Sequence, residues 1–99
     1  LPLGGNVIRR DLGSSAMHEI AGILEESIQY SLDHRVEAVQ HAMQYARDMN
    51  HDLADRFVGM YVNHWTLDYG EAGRAAIREL LQRGHRAGLV PDAGDIDFI

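Results

Sequence analysis

The chain has 99 residues, with nine Arg, no Lys, 15 acidic residues, six His, no Cys and a formal charge of -6. This length suits one small domain or part of one, and the absence of Cys excludes a disulfide framework and thiol chemistry. The negative charge argues against a general affinity for nucleic-acid phosphates, and no apolar run approaches the roughly 20 residues of a membrane-spanning helix, so neither partner is expected.

The first segment, residues 1–13, reads as a strand and a turn. Leu3 to Ile8 has no helical period, and its Gly4-Gly5 pair lets another group approach the backbone. Arg9 to Ser15 reads as a turn into a helix, with Ser14 or Ser15 as the N-cap. Residues 14–91 form a helical region. The first helix is expected over about Ala16 to Asp33, with Met17, Ile20, Ala21, Leu24, Ile28 and Leu32 at spacings of three and four. A second is expected over about Val36 to Met49. Asn50 is the expected cap of a third, whose apolar side is Leu53, Phe57, Met60, Tyr61 and Trp65. A fourth starts near Asp68, where Asp68 and Glu71 have capping-box spacing. Gly88 is the expected C-cap, and Pro91 stops the helix. Short connections predict helical hairpins. The tail, residues 92–99, alternates as a short strand or a docked arm would. Two short strands do not make a stable sheet, and the chain starts with Leu1 rather than Met. The expectation is therefore a piece of a longer protein, with the sheet in the remainder.

Little in the chain carries chemistry. His34 and His41 are two helical turns apart, about 10 Å, too far to share one metal. His18-Glu19 lacks a second His at metalloprotease spacing, and His51, His64 and His85 stand alone. No Ser occupies a nucleophile elbow. Gly4-Gly5 is neither a phosphate loop nor a dinucleotide fingerprint; it suits either close strand packing or a ligand near the backbone. Asn6 adds a donor and an acceptor there. Arg9-Arg10 suits a solvated turn paired with Asp11 better than a carboxylate site. Aromatics at 57, 61 and 65 fall every four residues, a pattern of core packing more than of a cofactor box. Gly73 and Gly84 suggest close helix packing.

The run Met60-Tyr61-Val62-Asn63-His64-Trp65-Thr66-Leu67-Asp68-Tyr69-Gly70-Glu71 resembles the C-terminal signature of the 1,4-dihydroxy-6-naphthoate synthase family. That family serves the futalosine pathway of menaquinone biosynthesis. Leu1-Pro2-Leu3-Gly4-Gly5 and Arg9-Arg10-Asp11-Leu12-Gly13 resemble its crossing strand and the turn after it. Ser27-x-x-Tyr30-Ser31-Leu32-Asp33-His34-Arg35-x-Glu37-Ala38 resembles its next helical hairpin. The resemblance implies the C-terminal part of a two-lobed α/β fold, similar to periplasmic solute-binding proteins, with the ligand between the lobes. It implies a cytoplasmic lyase that converts cyclic dehypoxanthinyl futalosine to the naphthoate with no known metal or organic cofactor. The family's proposed catalytic His lies in earlier sequence, so no residue here inherits a catalytic role and no metal ligand is expected. Gly4, Gly5 and Asn6 are the expected substrate-binding residues, with Arg9 and Arg10 weaker candidates and the aromatic helix as scaffold. The expected partners are the N-terminal part of the same protein and its small-molecule substrate.

On this reading the chain alone is inactive and self-associates through exposed apolar side chains, with Leu1 to Ile8 pairing between copies. A solute-binding protein of the same fold without catalysis and an independent helical interaction module are the alternatives. Chorismate dehydratase, a sibling of the pathway, fits the Tyr61-Val62-Asn63-x-x-Thr66-Leu67-Asp68-x-Gly70 run less well.

Overall fold

The computed structural model describes residues 3–99. Leu1 and Pro2, at the start of the expected strand-and-turn segment 1–13, lie outside them. A 3₁₀ turn at Arg10–Leu12 precedes helices α1 (Ser14–Asp33) and α2 (Arg35–Ala42), and a second 3₁₀ turn follows at Met43–Tyr45. Then come α3 (His51–Tyr61), the single turn α4 (His64–Leu67) and α5 (Gly70–Arg86). Among the described residues the fold is mainly helical, as expected, with four longer helices, the single turn α4 and two 3₁₀ turns.

Among the described residues there is no β-strand. The expected strand from Leu3 to Ile8 is irregular, and Val7 is fully exposed. The tail is irregular as well, because neither segment finds a sheet edge within this chain. The tail instead docks on the chain's own N-terminal turn. Arg10 pairs with Asp97 and donates from Nη2 to the Asp95 carbonyl at 3.1 Å.

Local signals placed several boundaries. The Asn50 side chain accepts from Leu53 N at 2.8 Å and caps α3. Other expectations need correction. Gly13 is the N-cap of α1, so Ser14 is already inside the helix, and its carbonyl accepts from His18 Nδ1 at 2.7 Å. The second helix turns 3₁₀ after Ala42 and stops short of Met49. Asp68 does not form the expected capping box. Tyr69 is the N-cap residue of α5 and makes no side-chain cap, while Asp68 Oδ1 accepts from Gly70 N and Arg74 Nη2, both at 2.9 Å.

Helices α1 and α2 meet at His34, whose ring stacks on Tyr30 with centroids 3.9 Å apart. Helix α2 packs on both α1 and α3, and α1 also touches α4. Arg35 fastens α2 to α3. Its Nε donates to Asp55 Oδ1 at 2.8 Å, its Nη2 to the Asp55 carbonyl at 2.8 Å and its Nη1 to the Val62 carbonyl at 3.3 Å. Val39 and Ala54, on this α2–α3 contact, are the buried hydrophobic residues. Helix α5 makes no comparable contact with another helix among the described residues, so the expected second hairpin is absent.

This is a small core for the chain's size. The accessible surface is 7934 Å², against about 5,700 Å² for a compact monomer of this mass. The radius of gyration is 16.1 Å, against about 12.6 Å for a compact domain of this length.

Helix α5 ends at Arg86 with Ala87 as its C-cap residue, so the expected cap Gly88 follows one position later and the helix stops well before Pro91. Gly88 adopts a φ of 71°, which favours glycine, and Leu89 N donates back to the Gly84 carbonyl at 2.9 Å. This return brings Val90 onto Gly84, where a Cβ would lie 2.9 Å from Val90 Cγ2. The close packing foreseen at Gly84 is therefore against the chain's own return rather than a second helix. Gly84→Ala gains about 1 kcal/mol of helix propensity but meets an overpacking cost of about 1–3 kcal/mol. The expected result is a net loss of about 1 kcal/mol in thermal melts. Adding Val90→Ala should remove the clash and leave the double variant at least as stable as Val90→Ala alone.

Candidate functional site

The run from Tyr61 to Gly70 builds the junction between α3, α4 and α5. Val62 and Asn63 leave helical geometry, with φ of -121° and -154°. Asn63 Oδ1 then accepts from Trp65 N at 3.0 Å, and Asn63 N donates to Thr66 Oγ1 at 3.1 Å. This reciprocal cap starts α4. Asn63 Nδ2 also donates to the Gly59 carbonyl at 3.0 Å, and Thr66 Oγ1 donates to the Tyr61 carbonyl at 2.9 Å. Asn63 and Thr66 thus satisfy the free backbone groups of two helix ends at once. Gly70, with φ of 58°, completes the turn that Asp68 closes, and α5 begins.

This junction carries a cavity of about 530 Å³. Gly4, Gly5 and Asn6 form one wall, and Tyr61, Trp65 and Tyr69 contribute to the others. Tyr69 connects the two sides, as its hydroxyl donates to the Gly4 carbonyl at 3.4 Å. A Cβ on Gly5 would lie 3.0 Å from the same hydroxyl, so glycine there permits the approach. Behind Tyr69, the Phe98 ring packs edge-on at 6.2 Å, and the Arg78 guanidinium lies 4.9 Å from the Phe98 centroid. The N-terminal segment and the tail therefore both converge on Tyr69.

Exchanging Gly5 for Val, or Tyr69 for Phe, is expected to loosen residues 3–9. Tryptic cleavage at Arg9 and Arg10 should rise about three- to fivefold, in line with the loss of a hydrogen bond worth about 1 kcal/mol or less. Unchanged cleavage in both variants would show that Tyr69 does not hold the segment.

All three glycine-turn candidates, Gly4, Gly5 and Asn6, border the cavity, whereas Arg9 and Arg10 do not. Arg9 Nε donates to Asp11 Oδ1 at 2.8 Å, and this contact holds the Asp11 carboxyl below its usual range and raises the Arg9 guanidinium. Both groups are exposed, so solvent screens the pair. Arg10 is committed to the tail. The aromatic residues differ from the expected core. Phe57, Tyr61 and Trp65 are 47%, 48% and 49% exposed, and Trp65 sits on α4 rather than on the helix that carries the other two. Tyr69 went unrecognised as a site residue, because its contact with Gly4 joins residues 65 positions apart.

The cavity offers backbone groups, the Asn6 and Asn63 amides, hydroxyls and aromatic walls. Such a set orients a flat ligand with a polar edge. Among the described residues no carboxylate, His or Arg lines it, so these walls supply contacts rather than an acid or base that works near neutral pH. Among the described residues, no three His, Asp or Glu side chains gather to hold a metal ion. No helix among them is long and apolar enough to cross a membrane.

The sequence profile described as "Menaquinone biosynthesis" matches residues 1–86. The chain is similar to the 1,4-dihydroxy-6-naphthoate synthase of Streptomyces coelicolor, with 39% identity over 95% of this chain and 33% of that protein. It is also similar to the synthase of the same name from Thermus thermophilus, with 33% identity over 90% of this chain and 33% of that protein. The chain spans about a third of the length of these curated relatives. No solved structure matches it.

Proposed function

Because the chain belongs to the menaquinone biosynthesis family, we propose that it is the C-terminal third of a 1,4-dihydroxy-6-naphthoate synthase. On this reading it contributes one wall of the substrate cleft in a two-lobed α/β protein of the cytoplasm. The complete protein would be a lyase that converts cyclic dehypoxanthinyl futalosine to 1,4-dihydroxy-6-naphthoate. The observation that carries the reading is the 39% identity to the Streptomyces synthase across nearly the whole chain.

The cavity is compatible with a positioning role. Gly4 and Gly5 expose backbone to a ligand's edge, Asn6 offers both a donor and an acceptor, and the lining lacks a general base. The acid-base step falls to the remaining two thirds of the protein, and the chain alone is inactive.

The test joins the 99 residues to the remaining two thirds of the Streptomyces relative in one polypeptide. Naphthoate formation is followed by mass spectrometry. Product from the joined protein and none from either part supports the reading. A joined protein that binds the futalosine derivative without turning it over would instead support a solute-binding role, and activity of the 99 residues alone would overturn the division of labour.

A further inference from the structure

Helix α3 carries an apolar stripe at i, i+4, i+7 and i+8: Leu53, Phe57, Met60 and Tyr61. These side chains are about half exposed, while Ala54 and Val58 take the side toward α2. Trp65 extends the apolar surface beyond the end of α3, and Leu3, 60% exposed, borders the same cavity. A helix stripe of this width faces a packing partner in a stable protein.

We propose that this surface, from Leu53 through Trp65 to Leu3, is where the remaining two thirds of the family protein dock. The proposal rests on reading the chain as the C-terminal third. The length of the relatives favours that occupant over a second copy, for they contain about twice as much additional chain as this one supplies. The excess over a compact monomer of this mass, about 2,200 Å², is the size of a permanent interface. Leu3 and Gly4 lie at the cavity, because Tyr69 ties Gly4 to its opposite wall. The docked polypeptide presents an apolar surface to the stripe and closes one side of the cavity. Substrate contacts at Gly4, Gly5 and Asn6 would then depend on docking.

Trp65 is the sole tryptophan of the chain. The 99-residue chain is labelled with 5-fluorotryptophan and titrated with the unlabelled two thirds of the Streptomyces relative. The expected result is a 1:1 complex by sedimentation and a shifted ¹⁹F resonance protected from solvent. Phe57→Glu and Leu53→Glu are each expected to weaken binding at least tenfold. Both positions are exposed, and unchanged circular dichroism confirms the fold. Ile23→Glu, on a different exposed stripe of α1, should bind within threefold of the parent. Should the partner segment not fold alone, the same label is read in the joined polypeptide after ligation of the two parts, where Trp65 must again be protected.

Binding unaffected by either Glu variant, a solvent-exposed Trp65 in the joined protein, or a Phe57-dependent dimer without affinity for the segment would overturn the proposal. Docking without product formation would leave it standing and remove the proposed activity. Product from a joined protein with Trp65 still exposed would do the reverse.

Discussion

Replacing Arg35 with alanine is expected to lower the melting midpoint by about 10–15 °C, the shift of about 2–3 kcal/mol in a domain of this size. The guanidinium joins α2 to the side chain and carbonyl of Asp55 and to the carbonyl of Val62. Hydrogen bonds from a charged donor contribute about 1.5–3 kcal/mol each when buried. The Arg35 side chain is 29% exposed and Asp55 45%, so solvent weakens the ion pair and the sum is discounted. The remaining loss is still large beside the roughly 5 kcal/mol total of a marginal domain. Arg35→Lys should recover less than half, because one ammonium cannot reach three oxygens with a fixed fork. Gly59 belongs to the same contact, since a Cβ there would lie 3.0 Å from Arg35 Nη2. Thermal melts followed at 222 nm decide the matter. A midpoint within about 4 °C of the parent, equivalent to 1 kcal/mol or less, would mean the contact does not hold the helices together.

Asn63→Ala is the second large effect. It removes the acceptor for Trp65 N and the donor to the Gly59 carbonyl, and it deprives α4 of its cap. The expected cost is about 1–2 kcal/mol. Thr66→Val removes the other half of the reciprocal cap and the bond to the Tyr61 carbonyl. The two changes act on one network, so the double variant should fall short of additivity by about 0.5 kcal/mol or more. Strict additivity in urea melts would show that the two side chains act independently. Asn63→Asp should be milder than Asn63→Ala, because it retains the cap acceptor while losing the donor to Gly59.

The Asn63–Thr66 network also gives the recognised signature a physical meaning. Asn63 and Thr66 end one helix and start the next, Asp68 accepts the Gly70 N–H, and Gly70 adopts a positive φ. The signature thus sets how Trp65 and Tyr69 border the cavity that the N-terminal segment walls, with Tyr69 reaching Gly4. From sequence, Phe57, Tyr61 and Trp65 read as one face of a single helix, with the next helix starting near Asp68. Periodicity at 57, 61 and 65 could not register that Asn63 bonds its neighbours instead of continuing the ladder. Nor could periodicity tell an internal core from a surface awaiting a partner, because both require the same apolar stripe.

The candidate site was legible in part. Gly4, Gly5 and Asn6 could be picked out because glycine pairs admit close approach, and they do border the cavity. Tyr69 could not, since nothing local to it points to Gly4. The same holds for Arg10, which read as a turn residue and in fact reaches the tail at Asp97.

The sequence by itself determined the mainly helical character, the Asn50 cap, the glycine stop at Gly88 and the family resemblance. These rest on interactions within a few residues, or on a linear motif. Tertiary structure alone decided that residues 3–8 form no strand, that Arg35 joins α2 to α3, and that the aromatic stripe stays half exposed. Those outcomes depend on which groups meet across tens of residues, and a strand or an apolar face takes its final form only when its partner is present.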